Sequence, residues 1–496
     1  MLANQFRKFL RIEIILVILI LFGVFFRFYH LNVPLQGDEV IYGVSAMKFH
    51  RESCTAGKDY IQEHPPFGKW LVGIPSRFID ADYKPLKFLS KDLFVWAYVA
   101  YDALAKNFVA MRTVEAIGGV ISIFLIFIIS RQLFNFRAAL WSAAIAALSF
   151  ELIGYSRIIY IESPMIVFIL LSLFLYINYL KSSNKKRIIY FSLFFISLTA
   201  TLLTRGIQPL FLLPIFAVSQ FLLNRNIKEC IYFLLFLGIS YYIAYHIIFP
   251  FDIIGYGPSR YGQSSIFGLF SFKAFNVITH LIFRNSLLFL AALIATSYAT
   301  FQLGKKINEK IHPVLSIYFV LSFLIFSSLS FPLPRHYIFM FLPLYIIGGY
   351  ALERISANKI LGASIILLAV INAAQLTQYF PNFLTYSNFG LDAFQVLSSA
   401  SSQDLRKGLD TANSENPSNI MTNDVNTLIF FNGHKAPIAP ALQNTCNNET
   451  IDSLDVENLT VLYVKHSSQF NFMSDPFVCP LLKERLTQTT FKLLEI

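Results

Sequence analysis

Asp38 and Glu39 stand side by side in "LQGDEVIYG", just after the first long apolar segment. A third acid, Glu63, comes directly before His64 and the pair Pro65-Pro66 in "EHPPFGKW". A fourth, Glu162, opens a later apolar segment in "YSRIIYIESP". A carboxylate placed at an attacking hydroxyl can take its proton. Five arginines, Arg112, Arg157, Arg205, Arg260 and Arg335 (the last followed by His336 and Tyr337), carry the planar fork that suits a phosphate or pyrophosphate. Each feature also has a plainer explanation. Acids cost little where a chain leaves a bilayer, because charge is expensive only in the hydrocarbon. Glu162 fits the positive end of a helix, worth about 0.3–1 kcal/mol. A lone arginine near a membrane surface usually snorkels. The "HPP" turn, with Lys69 and Trp70 as interfacial anchors, can simply start a helix at the interface. What separates these readings is whether the residues share one side of one membrane.

The composition demands that membrane. The chain of 496 residues is 55% hydrophobic and only 14% charged, with 52 Phe and 25 Tyr, and its mean hydropathy is +0.57. Soluble domains carry about 25% charged residues. A spanning helix needs about 20 predominantly apolar residues, and the pattern predicts eleven spans, near 9–27, 109–130, 138–156, 160–180, 188–204, 207–223, 229–249, 284–303, 313–331, 335–353 and 359–378. The close pairs around Arg157 and Arg205 allow re-entrant or differently cut helices there. The first segment lacks a small-residue cleavage site and reads as a retained span rather than a signal peptide. The net charge of +11 is spread between apolar segments, which argues against nucleic acid as a partner. Four cysteines without a CxxC or a Cys/His cluster suggest no structural zinc.

Lys/Arg placement sets the expected orientation. With Arg7, Lys8 and Arg11 cytoplasmic, alternation puts every other short basic cluster on the same side, from Arg131/Arg137 to Arg354/Lys359. The N-terminus is then inside and the C-terminus outside. The outer face receives the 29–107 loop, the turn around 155–162, the 250–283 loop and a tail from 379 onward. Asp38, Glu162 and the arginines fall together there, on the side that the positive-inside bias disfavours for arginine, which suggests an anionic partner. The tail is richer in Asn, Ser, Thr and Asp. It alternates in runs such as "TLIFF" and "LTVLYVK", so a small α/β domain is expected at 379–496. Cys446 and Cys479 lie in it, either as a disulfide or as two free thiols. Asn448 and Asn458 begin formal glycosylation sequons on the same side.

Taken in order, "GDEVIYG", "HPPFGKWLVG", "MRTVEAIGGVISIFLIFIISRQLF" and "YSRIIYIESPMIVF" resemble the protein O-mannosyltransferase family. More broadly they resemble the GT-C glycosyltransferases that include the lipid A aminoarabinose transferases. "TRGIQPLFLLP" and "PRHYIFMFLPLYIIGGYALERI" look like later segments of the same superfamily, so the resemblance runs over most of residues 1–355. It implies an all-α, polytopic, GT-C-like catalytic domain at 1–378 followed by the extracytoplasmic 379–496 domain. In the family an Asp-Glu pair of the first outer loop supplies the catalytic carboxylate. The resemblance therefore implies Asp38 as general base with Glu39 beside it. The family's second outer acid is usually Asp, where this chain has Glu162 in "IESP", a longer reach for the same group. Arg112 matches an arginine expected to support lipid phosphate or the active-site fold, and the family's HPP turn maps onto His64, Pro65 and Pro66.

The implied reaction moves a sugar, mannose or another hexose, from a polyprenyl-phosphate donor to an acceptor hydroxyl at the outer face of a prokaryotic plasma membrane. The acceptor is a protein Ser/Thr, or alternatively an envelope glycolipid or glycan. The departing lipid phosphate gains charge that outer arginines can stabilise. Arg112, Arg157, Arg205, Arg335, Tyr337 and His64 are the expected phosphate and sugar contacts. No nucleotide is required, and neither a Walker motif nor a Rossmann fingerprint is present. Glu63 and His64 leave a divalent metal open, since two adjacent residues do not make a site. The 250–283 loop is too short for the trefoil insert of eukaryotic members. The competing class is a transporter or flippase, which should place its ionisable groups near the bilayer midplane on broken helices of repeated halves. The candidate acids instead sit at outer span ends, and no repeat is evident.

Overall fold

The computed structural model describes residues 2–29, 31, 37–51, 65–79, 101–205, 208–223, 227–244, 313–327, 334–358 and 360–371, with isolated positions and three short strands beyond them. The described chain is mostly helical: α1 Leu2–Phe28, α2 Gly37–Arg51, α3 Pro66–Gly73, α4 Tyr101–Leu133, α5 Phe136–Leu148, α6 Phe150–Tyr155, α7 Glu162–Lys181, α8 Asn184–Thr204, α9 Leu212–Leu223, α10 Ile227–Tyr242, α11 Pro313–Ser327 and α12 Pro334–Ser356. Four described helices are long and apolar enough to cross a membrane, at Lys106–Leu133, Glu162–Lys181, Asn184–Thr204 and Ile338–Ser356. A shorter apolar helix at Ile360–Ile371 falls within the expected 359–378 span, whereas most of 284–303 lies outside the described residues.

The expected span at 138–156 differs from what is observed, and the reason is local. Asn135 caps α5, its side chain accepting from Ala138 N at 2.9 Å. The helix then stops at Leu148, because Ser149 is extended and its hydroxyl accepts from Leu152 N to open a second, short helix, α6. At 13 residues α5 is about 20 Å long, short of the ~30 Å hydrocarbon. Hydropathy continues unbroken across Ser149; the capping chemistry does not. Residues 156–161 form an irregular turn before α7.

The chain divides into two units. The first comprises 1–31, 45–77 and 110–378. Within it α5 packs between α1 and α12, α7 pairs with α8, α3 rests on α7 and α8, and α9 packs on α10 and α11. Small residues make the α5 contacts close. A Cβ at Gly349 of α12 would overlap Ser142 on α5 and lie 2.7 Å from the Ala138 carbonyl oxygen. The Ser142 hydroxyl there donates to Ile346 O at 3.2 Å. Gly349→Ala should therefore lower the thermal unfolding midpoint in detergent, by the equivalent of about 1–3 kcal/mol of overpacking. Gly238→Ala is the control. Nothing lies within 4 Å of its added carbon, and the change should be neutral or slightly stabilising through helix propensity. Equal midpoints for the two variants would contradict the close α5–α12 crossing.

The second unit comprises 32–44, 78–109 and 379–496. Its described strands, β1 Ile420–Thr422, β2 Thr460–Tyr463 and β3 Lys492–Glu495, form a parallel sheet in the order β1-β2-β3. Ile420 pairs with Thr460, and Thr460 with Lys492. β2 falls inside the alternating "LTVLYVK" run, while "TLIFF" lies outside the described residues. Within the same unit Gly43 lets the backbone of α2 approach Phe108 so closely that a Cβ would sit 3.0 Å from two of its ring carbons.

Candidate active site

Glu162 is the first residue of α7 and is fully buried. Its carboxylate pairs with Nη1 of Arg205, also buried, at the end of α8. The same Nη1 donates to the Tyr160 carbonyl at 2.9 Å. Two residues that the sequence placed in one constellation are thus joined directly.

The turn that carries Glu162 is strained. Ile161 lies in the left-handed region, φ 60° and ψ 9°, and offers no side-chain cap to α7. A β-branched residue rarely adopts this conformation, and such strain typically costs about 1–3 kcal/mol and collects at functional sites. A buried acid that the sequence reading passed over supports the turn. Glu115 on α4 accepts from Ile161 N at 2.8 Å through Oε1 and from Ser163 N at 3.2 Å through Oε2. Donors at the start of α7 that would otherwise need a partner receive one from another helix. Ser163 Oγ donates to Tyr155 O at 3.2 Å. The backbone can approach α4 because Gly118 and Gly119 face it. A Cβ on Gly118 would lie 3.0 Å from Ser163 Cβ, and one on Gly119 would lie 3.0 Å from Ser156 Oγ. On the other side Gly68 of α3 meets Thr204 O at 2.6 Å and Ile161 Cβ at 3.3 Å from where its own Cβ would stand. α3, the "PFGKW" part of the motif, therefore packs against the turn that presents Glu162. Glu115 was legible as an acid within an apolar segment, three residues after Arg112 in "MRTVEA".

The other arginines hold the main chain. Arg157 Nη1 donates to Phe26 O and, at 2.6 Å, to Tyr29 O, closing the C-terminal end of α1. Arg112 Nη1 donates to Leu31 O at 2.7 Å. Arg27, not singled out in the sequence, is fully buried and donates to Gly23 O, Ala147 O and Ala146 O at 2.7, 2.9 and 3.1 Å. Arg157 reaches carbonyls at the end of α1 and Arg27 reaches two in the last turn of α5, where carbonyls lack partners and positive charge is favoured.

Lys69 corrects an expectation. It is fully buried rather than anchored at an interface, with its ammonium 5.7 Å from the centroid of the Phe49 ring. Trp70 does remain 41% exposed. The difference arises because α3 seats against residues 45–51 of α2: a Cβ on Gly73 would lie 2.8 Å from His50 Cδ2, and His50 Nε2 donates to Trp70 O at 2.6 Å. Burial holds the His50 imidazole below its ordinary range, against the opposing pull of that bond.

Asp38 and Glu39 are the second and third residues of α2, so the segment expected as a loop is helical there. Glu39 is fully buried; the Asp38 side chain lies outside the described residues. Arg335, His336 and Tyr337 fall in the first turn of α12, their side chains likewise outside the description, and Glu63, His64 and Arg260 are outside it altogether. Among the described residues no group of three or more His, Cys, Asp or Glu is close enough to hold a metal ion.

Residues 17–255 match the family model described as dolichyl-phosphate-mannose-protein mannosyltransferase (PMT). Among solved structures, ArnT from Cupriavidus metallidurans bound to undecaprenyl phosphate matches with a TM-score of 0.53 at 13% identity, over 86% of this chain and 85% of that one. The apo state of the same enzyme matches with a TM-score of 0.50 at 14% identity, over 86% of this chain and 74% of that one. At such identity the likeness is one of fold. A search of curated protein sequences finds no significant match. Residues 17–255 are thus similar to the PMT family model, and the fold resembles that of ArnT. Four described helices long and apolar enough to cross a membrane are in keeping with that likeness.

Proposed function

We propose that this protein transfers mannose or another hexose from a polyprenyl-phosphate donor to an acceptor hydroxyl, most directly a protein Ser/Thr, at the outer face of a prokaryotic plasma membrane. The acceptor oxygen attacks the anomeric carbon as its proton passes to the Asp38 carboxylate, with Glu39 beside it. The bond from the anomeric carbon to the phosphate oxygen breaks, the electron pair leaves with the lipid phosphate, and the configuration inverts. Glu162 is the second carboxylate of the site. Arg205, paired to it, contributes cationic charge toward the lipid phosphate together with Arg112, Arg157, Arg335, His64 and Tyr337. The observation that carries this reading is the buried Glu162–Arg205 pair on a strained turn, inside the stretch that matches the PMT family. A preorganised charged site of this kind stabilises charge that develops in the transition state.

The test is direct. Purified protein is incubated with radiolabelled polyprenyl-phosphate hexoses and with peptide, glycolipid or glycan acceptors, beside the Asp38→Asn variant. Transfer by the wild type to one acceptor class supports the reading and names the acceptor. A folded wild-type protein that moves no sugar to any of them overturns it. Orientation has its own expected result: cysteines introduced in 29–107 and in 379–496 should react with an impermeant thiol reagent added from outside. Labelling of either segment only from the cytoplasmic side would reverse the proposed topology.

A further inference from the structure

We infer that Glu115 is the positioning residue of this site: its carboxylate clamps the 161–163 turn and so fixes the direction in which Glu162 meets Arg205. This inference rests on the transferase reading for its consequence in catalysis, though not for the clamp itself.

Three observations carry it. Both carboxylate oxygens of Glu115 are engaged, each by a different backbone N–H, one on either side of Glu162. The residue whose N–H takes the shorter bond, Ile161, has the left-handed backbone that isoleucine resists. Left to itself, that residue would relax toward an ordinary conformation and rotate the chain that follows. Finally, α7 has no side-chain cap of its own, so Glu115 supplies from α4 the acceptors that a capping Ser or Asp supplies locally elsewhere. Arg205 also holds the same turn, through Tyr160 O and Glu162. The acid at the start of α7 is thus set between an acceptor on one helix and a donor at the end of another. Glu115 touches neither donor sugar nor acceptor in this scheme; it acts through the turn.

The conservative substitutions separate this role from general support of the fold. In Glu115→Gln one oxygen survives, while the new amide nitrogen faces a backbone donor and cannot accept. Glu115→Asp keeps the charge but is shorter by one methylene, so it cannot span both N–H groups as Glu does. Two measurements are made on detergent-purified full-length protein. Hydrogen exchange of a peptide covering 160–164 should be at least tenfold faster in Glu115→Gln, with the 194–203 segment of α8 unchanged. In the transfer assay kcat should fall at least tenfold while KM for the acceptor stays within about twofold, and Glu115→Asp should fall between Gln and the wild type. Loss of fold alone would reduce the active fraction and move both exchange segments. If Glu115→Gln does not yield folded protein, Glu115→Asp carries the same two comparisons. Unchanged exchange at 160–164 overturns the clamp. Faster exchange with wild-type kcat overturns the positioning role. A wild type that transfers nothing overturns the function reading, and the exchange measurement still decides the clamp.

Discussion

Asp38→Asn should reduce sugar transfer by at least about a hundredfold, as expected for loss of a positioned general base, while the purified protein keeps its unfolding midpoint. The amide matches the carboxylate in size but has no basic site for the proton that the acceptor hydroxyl must lose. The structure gives a reason to expect little structural damage. Asp38 is the second residue of α2, where an acid gains from the helix terminus only about 0.3–1 kcal/mol. Losing that increment does not unfold a multihelical protein. The neighbouring acid should behave differently. Glu39 is fully buried, and removing the charge of a buried, hydrogen-bonding group disturbs its surroundings. The informative comparison is therefore the ratio of transfer rate to folded fraction in the Asp38→Asn and Glu39→Gln variants. A wild-type rate for Asp38→Asn would show that another group takes the proton.

The sequence made the membrane helices legible because apolar length is a property of the chain itself: Glu162–Lys181 and Asn184–Thr204 lie within a few residues of their expected places. It was less informative where apolarity and backbone geometry part company. The run from Leu140 to Ile161 is mostly apolar, yet Ser149 ends one helix and starts another, and Ile161 turns left-handed. Both events depend on hydrogen-bond partners, and hydropathy does not record partners. The arginines show the same limit. Their type announced interest in oxygen acceptors, but Arg112 found Leu31 O at a separation of 81 residues and Arg157 found Tyr29 O at 128. Only the fold could say that these acceptors are main-chain carbonyls just beyond α1. Glu162 and Arg205 were expected on one face, but their direct contact was not anticipated and comes from the fold.

That pairing leads to the second large effect. Arg205→Met should destabilise the protein by about 3–5 kcal/mol, the usual consequence of leaving a buried charge without its partner, and it should abolish transfer. Both side chains are almost wholly removed from solvent, 1% and 0% exposed. Water cannot take the place of the guanidinium, and the Tyr160 carbonyl loses its donor in the same substitution. Glu162→Gln leaves the opposite orphan, a buried guanidinium, and should be destabilising as well. The double variant, Arg205→Met with Glu162→Gln, should then recover much of the loss in stability, because replacing both members removes the unpaired charge. It should not recover transfer. Thermal unfolding of the four proteins in one detergent, with the transfer assay on each folded fraction, gives both readouts. Strict additivity of the two destabilisations would mean that the charges do not interact, and recovered transfer in the double variant would remove the pair from the catalytic scheme. A pair retained only for stability would have no reason to resist substitution by matched neutral groups. Loss of activity without loss of stability is the signature that distinguishes a site from a scaffold.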